Sequence, residues 1–575
     1  MNRRGGEHID VLPGRFYALL LTLGLCAVAL LARAIDLQVL RQDFYQNEGD
    51  ARHVRQVEIA ASRGMILDRN GEALAISTPV QSIWTKPREL LAEPDGVGRL
   101  AAVLKIDEDE LTRRLSQRSE KSFVYVKRRV TPALADAVAA LDLPGVQMER
   151  EYQRFYPAGE VAAHVLGFTD VDDQGQEGLE LSFDEWLRGS PGAKRVIKNR
   201  LGQTIENVEL VNAATPGRTL TTSIDRRLQY LAYRSLKSAV LEFGARSGSA
   251  VVLEVSSGEV LAMVNQPSYN PNQRSGRYER MRNRAITDFF EPGSVIKPFS
   301  IAAALESGQY APGTAVETAP GYQQLGAYTV RDAVNYGTLD LTGIITKSSN
   351  VGISRLALTL DARHLWDVYH RFGFGEITGS GFPGESPGML PEHTRWRDVE
   401  KAAVSYGYGL STTPLQIAQA YAAIANNGRI RAPSFIKGSV NPDRAVVDPT
   451  IAAQLKAMME TVTTGGGTGT RAAVPHYRVA GKTGTSRKAS AQGYNDRYVA
   501  TFAGFAPASS PRVVVVVSVN DPSSEQYYGG QIAAPTFRTV MEGALRLLDV
   551  PPDDLLPHAP LDATKDAAQL AAGSP

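Results

Sequence analysis

Cysteine is nearly missing from this 575-residue chain: Cys26 is the only one, so an internal disulfide and a cysteine-built zinc site are both excluded. An excess of either charge is missing too. Lysine and arginine number 62 and the acids 61, a formal net charge of +1, without the basic surplus of a nucleic-acid binder. The eight histidines are scattered with no metal-ligand spacing, so no metal is expected. No Gly-x-Ser-x-Gly elbow for a Ser-His-Asp hydrolase occurs, and there are no internal repeats. The remainder is ordinary for a globular protein: 43% hydrophobic and 21% charged residues. At roughly 100–200 residues per domain, the length suggests two to four domains.

Long apolar runs are absent with one exception. From Phe16 to Ala32 the chain reads FYALLLTLGLCAVALLA, uncharged between Arg15 and Arg33. With Ala34 and Ile35 added and Arg33 snorkelling, it is long enough to cross a hydrocarbon core of about 30 Å. Arg3, Arg4 and Arg15 precede it, so the positive-inside rule keeps residues 1–15 in the cytoplasm and exports the rest of the chain. A cleaved signal peptide is the alternative, because Ala32-Arg33-Ala34 fits a small-x-small cleavage pattern. The run exceeds a usual signal core and continues unbroken into an amphipathic stretch, which favours a retained anchor over 16–35. Val513–Val517 is too short to span and reads as a buried strand.

Beyond the anchor the chain has two textures. Residues 36–220 are charge-rich, with strand-like pieces (VRQVEIAA, SFVYVKRR, KRVIKNR) between helical patterns at 97–117 and 132–141, and no setting for a nucleophile. This stretch reads as a scaffold or interaction module. In 221–550 the pattern changes: residues 224–242 have helical spacing, and GSAVVLEV-SSG-EVLAMVNQP is a hairpin around Ser256-Ser257-Gly258. A second hairpin turns around Ala508–Pro511, preceded by strand-like VAGKTGTS, and helices fill most of 294–475. Strands at both ends with helices between predict one α/β (α+β) domain whose sheet is closed by its own ends. The tail 551–575 is Pro/Ala-rich and expected to be mobile.

Three short motifs carry chemistry. In Glu291-Pro292-Gly293-Ser294-Val295-Ile296-Lys297-Pro298, Pro-Gly ends a loop and the apolar run after it reads as a helix with Ser294 at its start. Ser and Lys three apart share a helix face, so an amine can reach the hydroxyl, and a helix N-terminus favours a nearby oxyanion. Ser-x-x-Lys alone is a weak signal, and Ser434–Lys437 is a second copy; Ser439-Val-Asn441 and Ser518-Val-Asn520 likewise mimic Ser348-Ser349-Asn350. Context separates them, since Ser434 follows Pro433 in a strand-like stretch while Ser348 follows a full helical segment. The third motif, Lys482-Thr483-Gly484-Thr485, falls in a predicted strand, where glycine lets a substrate backbone approach and hydroxyls can hold a carboxylate. Two look-alikes fail on detail. Gly481-Lys482-Thr483 resembles a phosphate loop whose first glycine would fall at His476, and Gly379–Gly384 fits a dinucleotide pattern without a strand before it.

In this order and spacing the three motifs resemble those of penicillin-recognising serine acyltransferases, and the chain as a whole resembles a class B penicillin-binding protein. Ser62-Arg63-Gly64-Met65 through Gly71, Arg154-Phe155-Tyr156-Pro157, His164 to Phe168 and Glu177-Gly178-Leu179-Glu180 resemble the family's pedestal motifs. Tyr406-Gly407-Tyr408 through Gln416 resembles the division-specific, penicillin-binding protein 3 type of Gram-negative bacteria. His164 reads as a structural hydrogen-bonder.

The resemblance implies a β-lactamase-like transpeptidase domain with an antiparallel sheet, an elongated N-terminal pedestal and one membrane helix. It implies a D,D-transpeptidase that forms an acyl-enzyme on Ser294 with D-Ala-D-Ala stem peptides, releases D-Ala and cross-links the septum. β-Lactams would be inhibitors and no cofactor would be used. Lys297 would be the base, with Ser348 and Asn350 positioning it, relaying protons and binding the substrate amide. Lys482 would supply positive field, Thr483 and Thr485 would hold the terminal carboxylate, and the Ser294 and Thr485 N–H groups would form the oxyanion hole. Ser349, Gly484 and Tyr408 would line the substrate site, with Tyr498, Tyr527 and Tyr528 as an aromatic wall. Implied partners are a lipid-II-polymerising septal glycosyltransferase, other divisome proteins and the inner membrane, with the catalytic domain in the periplasm and no nucleic acid. The second motif is Ser-Ser-Asn, not the Ser-Asp-Asn of class A β-lactamases, and none of Glu376, Glu385, Glu392 or Glu400 has the Asn four residues on that marks a deacylating glutamate. Rival readings are a D,D-carboxypeptidase or β-lactamase, which the large N-terminal module disfavours, and a non-catalytic β-lactam sensor or divisome scaffold, which the single span and intact motifs disfavour.

Overall fold

The computed structural model describes residues 13–42, 44, 54–198, 204–273, 278–490, 493–523 and 525–555. Most of the expected cytoplasmic N-terminus (1–15) and most of the expected tail (551–575) lie outside them. The chain packs as two units that interleave in sequence. One comprises Met1–Ser62, Val80–Glu151 and Gly189–Pro216; the other comprises Arg63–Pro79, Tyr152–Arg188 and Gly217–Pro575. Contacts thus assign pieces of the 36–220 stretch to both units.

In the first unit, helix α1 (Pro13–Ile35) carries the apolar run with its side chains exposed, Cys26 among them. Among the described residues it lies in the one helix long and apolar enough to cross a membrane. The strand-like pieces VRQVEI and KRVIK pair in a three-stranded antiparallel sheet of Val54–Ile59, Gly192–Lys198 and Thr204–Asn212, in that order. A separate apolar core gathers Leu100, Leu104, Leu111, Leu115, Val124 and Val138. The helical pattern over 97–117 is two helices, Gly96–Leu104 and Glu108–Ser116. Lys105 breaks it in the left-handed region (φ 53°), and Asp107 starts the second helix by accepting the Glu110 N–H at 2.7 Å.

The second unit is three-layered. Helix α2 (Arg226–Glu242) begins where Asp225 caps the Arg227 and Leu228 N–H groups. Strands β1 (Ser247–Glu254) and β2 (Val260–Gln266) form the first expected hairpin. Then come helices α3 (Lys297–Glu306), α4 (Leu341–Lys347) and α5 (Asn350–Thr359), strands β3 (Ala480–Ser490), β4 (Gly493–Ala506) and β5 (Val513–Asn520), and helix α6 (Gly529–Leu547). The sheet order is β2-β1-β5-β4-β3, antiparallel throughout, so strands from the two ends of the domain close one sheet and β3 is an edge. The valine run lies in central β5. Val513, Val515, Val517 and Val519 face α2 and α6, while Val514 and Val516 face the layer holding α3. Burial on both faces explains why that strand is continuously apolar.

In the same unit the motif residues around 63, 154 and 180 meet in one buried cluster. Glu180 accepts from Arg63 Nε and Arg154 Nε, both at 2.6 Å, and Arg63 also donates to Asp184 at 2.7 Å. Burial alone would lower the Arg63 pKa, but Glu180 and Asp184 more than offset it and the net shift is upward. His164 is buried, with Nε2 2.8 Å from the Arg280 carbonyl; burial drops its pKa to about 4, so it is a neutral structural group, as expected.

Candidate active site

Ser294 sits on a 3₁₀ turn, Gly293–Ile296, that runs directly into α3. Gly293 has φ 57°, a left-handed bend that glycine takes without strain, and Pro298 lies in the first turn of α3 where its missing N–H is harmless. Nearly all of α3 is buried, which carries the Lys297 side chain into the interior at 0% exposure while Ser294 stays half-exposed.

The Ser-Ser-Asn motif is a joint between two helices. Ser348 closes α4 in the left-handed region (φ 60°, ψ 39°), Ser349 is the N-cap of α5, and Asn350 is its first residue. Lys297 Nζ donates to the Ser348 carbonyl at 2.6 Å, to Asn350 Oδ1 at 2.8 Å and to Ser348 Oγ at 3.2 Å. Lys482 Nζ, also wholly buried, donates to the same Ser348 Oγ at 2.9 Å and to Thr483 O and Oγ1 at 3.2 and 3.3 Å. One hydroxyl therefore lies within hydrogen-bond distance of both lysine nitrogens. Among the described residues no hydrogen bond joins Ser294 to Lys297, whose nitrogen lies against the Ser348 carbonyl and hydroxyl and Asn350 Oδ1.

Burial is the main cause holding Lys297 well below the ordinary ammonium range; the Lys482 charge adds to it and Asp332 opposes it. Burial also lowers Lys482, to about 7. Burial thus favours the neutral amine at Lys297, while Lys482 titrates near neutrality.

Strand β3 brings in the third motif, in register Thr483 with Phe502 and Thr485 with Ala500. Thr485 Oγ1 accepts the Gly529 N–H at 2.9 Å and so keeps its own proton to donate; Thr483 Oγ1 lies 2.8 Å from Thr468 Oγ1. One motif residue gains a second reason and one expectation changes. Gly484 is needed for the chain itself: a Cβ there would lie 2.9 Å from Pro292 O and from Val295 Cγ1, so its bareness lets β3 lie against the turn carrying Ser294. Ser349 does not line a substrate site. It is fully buried, and its hydroxyl accepts from Gly352 N at 2.8 Å and donates to Asp332 at 2.6 Å.

Tyr498 stacks on Tyr527 at 4.2 Å, and Tyr527 meets Tyr528 at 4.5 Å, immediately before the Gly529 that bonds Thr485. Tyr408 accepts the Arg487 N–H at 3.1 Å and packs edge-on against Tyr494 at 5.2 Å. Glu291 accepts from Tyr494 OH and Gly409 N, both at 2.8 Å, and its burial raises its pKa. The look-alike serines sit elsewhere: Ser434 is a buried loop residue bonded to Ile436, and Ser518 and Asn520 belong to β5. Sequence reasoning missed Asp332 and Thr468, which belong to no motif, and gave no role to Glu291 although it opens the first one.

Two family models match the chain, the penicillin binding protein transpeptidase domain over residues 248–542 and the penicillin-binding protein dimerisation domain over residues 58–222. Peptidoglycan D,D-transpeptidase FtsI of Escherichia coli K12 is 44% identical over 561 residues, 96% of this chain and 95% of that protein. Probable peptidoglycan D,D-transpeptidase PbpC of Pseudomonas aeruginosa is 43% identical over 544 residues, 94% and 96% of the two chains. Among solved structures, penicillin binding protein 3 of Mycobacterium tuberculosis complexed with aztreonam matches with a TM-score of 0.67 and 30% identity, over 86% of this chain and 98% of that one.

Proposed function

The chain belongs to the penicillin-binding proteins, as a peptidoglycan D,D-transpeptidase of the division type, and from that premise we propose how its residues share the work. It is a serine-type acyltransferase of wall synthesis. Ser294 is the nucleophile. Neutral Lys297 takes the hydroxyl proton as Oγ attacks the penultimate D-Ala carbonyl of a stem peptide, and the N–H groups of Ser294 and Thr485 receive the oxyanion. The proton then passes to the departing D-Ala amine; Ser348, whose oxygen is held by two lysines, is placed to relay it. An amine of a neighbouring stem attacks the acyl-enzyme, reforming the Ser294 hydroxyl and making the cross-link.

Lys482 supplies the lasting positive charge, Thr483 and Thr485 hold the terminal carboxylate, Asn350 offers its second amide N–H to the substrate, and Tyr408, Tyr498, Tyr527 and Tyr528 line the cleft. β-Lactams acylate the same Ser294 Oγ as their ring C–N bond opens, the amine staying attached, and water releases the adduct slowly. Three of the four glutamates named above are engaged elsewhere: Glu376 with His370, Glu385 with Thr378 and Ser380, Glu400 with Arg397. Residues 221–550 act as the transpeptidase domain and 36–220 as the pedestal for a septal glycosyltransferase and other division proteins. Residues 16–35 anchor the chain in the inner membrane, with the catalytic part in the periplasm.

The observation that carries this reading is the pair of buried lysines converging on Ser348, one on the helix that follows Ser294 and one on the edge strand. Replacing Ser294 by Ala is expected to abolish covalent labelling by a fluorescent penicillin while leaving the thermal midpoint in place. Labelling that persists in S294A defeats the assignment.

A further inference from the structure

The hairpin Tyr322–Leu325/Tyr328–Arg331 delivers one carboxylate to the joint between α4 and α5. Asp332 is rooted there by its own N–H, bonded to the Gly321 carbonyl at 2.9 Å. Its Oδ1 accepts the backbone N–H groups of Asn350 and of Val351, the latter at 3.0 Å, and its Oδ2 accepts the Ser349 hydroxyl at 2.6 Å. The neighbouring Arg331 carbonyl takes one N–H of the Asn350 side chain at 3.0 Å. With that N–H held, the amide cannot flip, and Asn350 Oδ1 must face Lys297 Nζ, 2.8 Å away. The first-turn donors of α5, otherwise orphaned, are thereby tied to a different segment from the one that carries the motif.

We infer that Asp332 is a positioning residue for the acyl transfer, fixing the Ser348–Asn350 joint on Lys297 and acting on that lysine as its one opposing negative charge. The groups facing Lys297 are few. From the joint there are Ser348 and Asn350, both neutral, from β3 Lys482, and from the hairpin Asp332. Tyr336, beside Asp332, has its hydroxyl on the Lys347 carbonyl at 3.5 Å, and Arg331 is exposed. The Asp332 charge raises the proton affinity of Lys297 against burial and Lys482. The aspartate thus keeps the base from being too weak to take the serine proton.

The inference rests on Lys297 acting as the base, and its test is separate from that of the nucleophile. Second-order acylation by a fluorescent penicillin is measured against pH for wild type, D332N, D332A and S349A, each with its thermal midpoint. In D332N the amide oxygen still accepts the two N–H groups, while the charge and the acceptor of the Ser349 hydroxyl are lost; S349A, which lacks that hydroxyl and keeps the charge, separates the two effects. Its acid limb is expected to move down by about one pH unit with the midpoint near wild type. D332A is expected to lose about tenfold or more in rate at every pH, because Asn350 is released. S349A loses a cap and keeps the charge, so its midpoint falls while the acid limb stays. A D332N acid limb coincident with wild type overturns the inference, as does a D332A rate equal to wild type. If D332N does not fold, an S349A limb that moves is sufficient to overturn it. Failure of S294A to lose labelling sinks the reading of the whole site, whichever way these profiles fall.

Discussion

Around Glu180 two guanidiniums share one carboxylate; around Ser348 two lysine side chains share a neutral hydroxyl. Both clusters lie in the same packed unit and both are buried to about the same degree. In the first, the charges are matched, with Asp184 as a further partner, and the Arg63 pKa ends up raised. In the second, no carboxylate among the described residues bonds either lysine, and both lose proton affinity. Charge buried with its partner holds chain segments together. Charge buried without one is unstable in its protonated form, and that instability is what a general base needs.

The comparison breaks most severely at Glu180. Glu180→Ala leaves Arg154 buried without its carboxylate while Arg63 keeps Asp184, and it is expected to cost about 3–5 kcal/mol of stability. A thermal midpoint equal to wild type would show that the cluster does not hold the fold.

The lysine pair is tested by pH. As pH falls Lys297 regains its proton and the base is lost; as pH rises through about 7, Lys482 gives up the remaining charge. Acylation by a fluorescent penicillin should therefore be bell-shaped, its alkaline limb falling about tenfold per unit from near neutrality. A rate still climbing at roughly pH 9 contradicts the assignment of Lys482 as the lasting charge.

The smallest effect runs opposite to that at Glu180. The folded pKa of Lys482, about 7, lies below its unfolded value of roughly 10.4, so between those pH values the unfolded chain binds the extra proton. Burying this lysine therefore costs stability at neutral pH, and the cost is relieved as pH rises toward the unfolded value. Lys482→Met should abolish acylation yet raise stability at pH 7 by about 1–2 kcal/mol, read by denaturant titration. A fall in stability would mean that Lys482 is held by compensated interactions like those of Arg63.

Legibility differed between these regions for physical reasons. The hairpins, the valine strand and α2 were readable because their periodicity reflects which face each residue buries. The helical pattern over 97–117 was readable too, but not its division into two helices at Lys105, where the left-handed backbone breaks it. The role of Ser349 was misjudged because motif membership does not say which way a side chain points, and the chain's own need for Gly484 went unseen. Ser349 caps a helix and Gly484 makes room for the chain's own turn. Asp332 was invisible, since a single aspartate after a short hairpin has no pattern of its own.

Residue types and spacing by themselves determined the membrane-length run, the two hairpins and the three segments that bear chemistry, because each of these depends on local pattern. Tertiary structure alone decided what those segments do to one another. Lys297 lies 51 positions from Ser348 and Lys482 lies 134, yet both donate to one oxygen, and it is their shared burial that lowers their proton affinity. Desolvation and proximity are properties of packing, and no spacing along the chain encodes them.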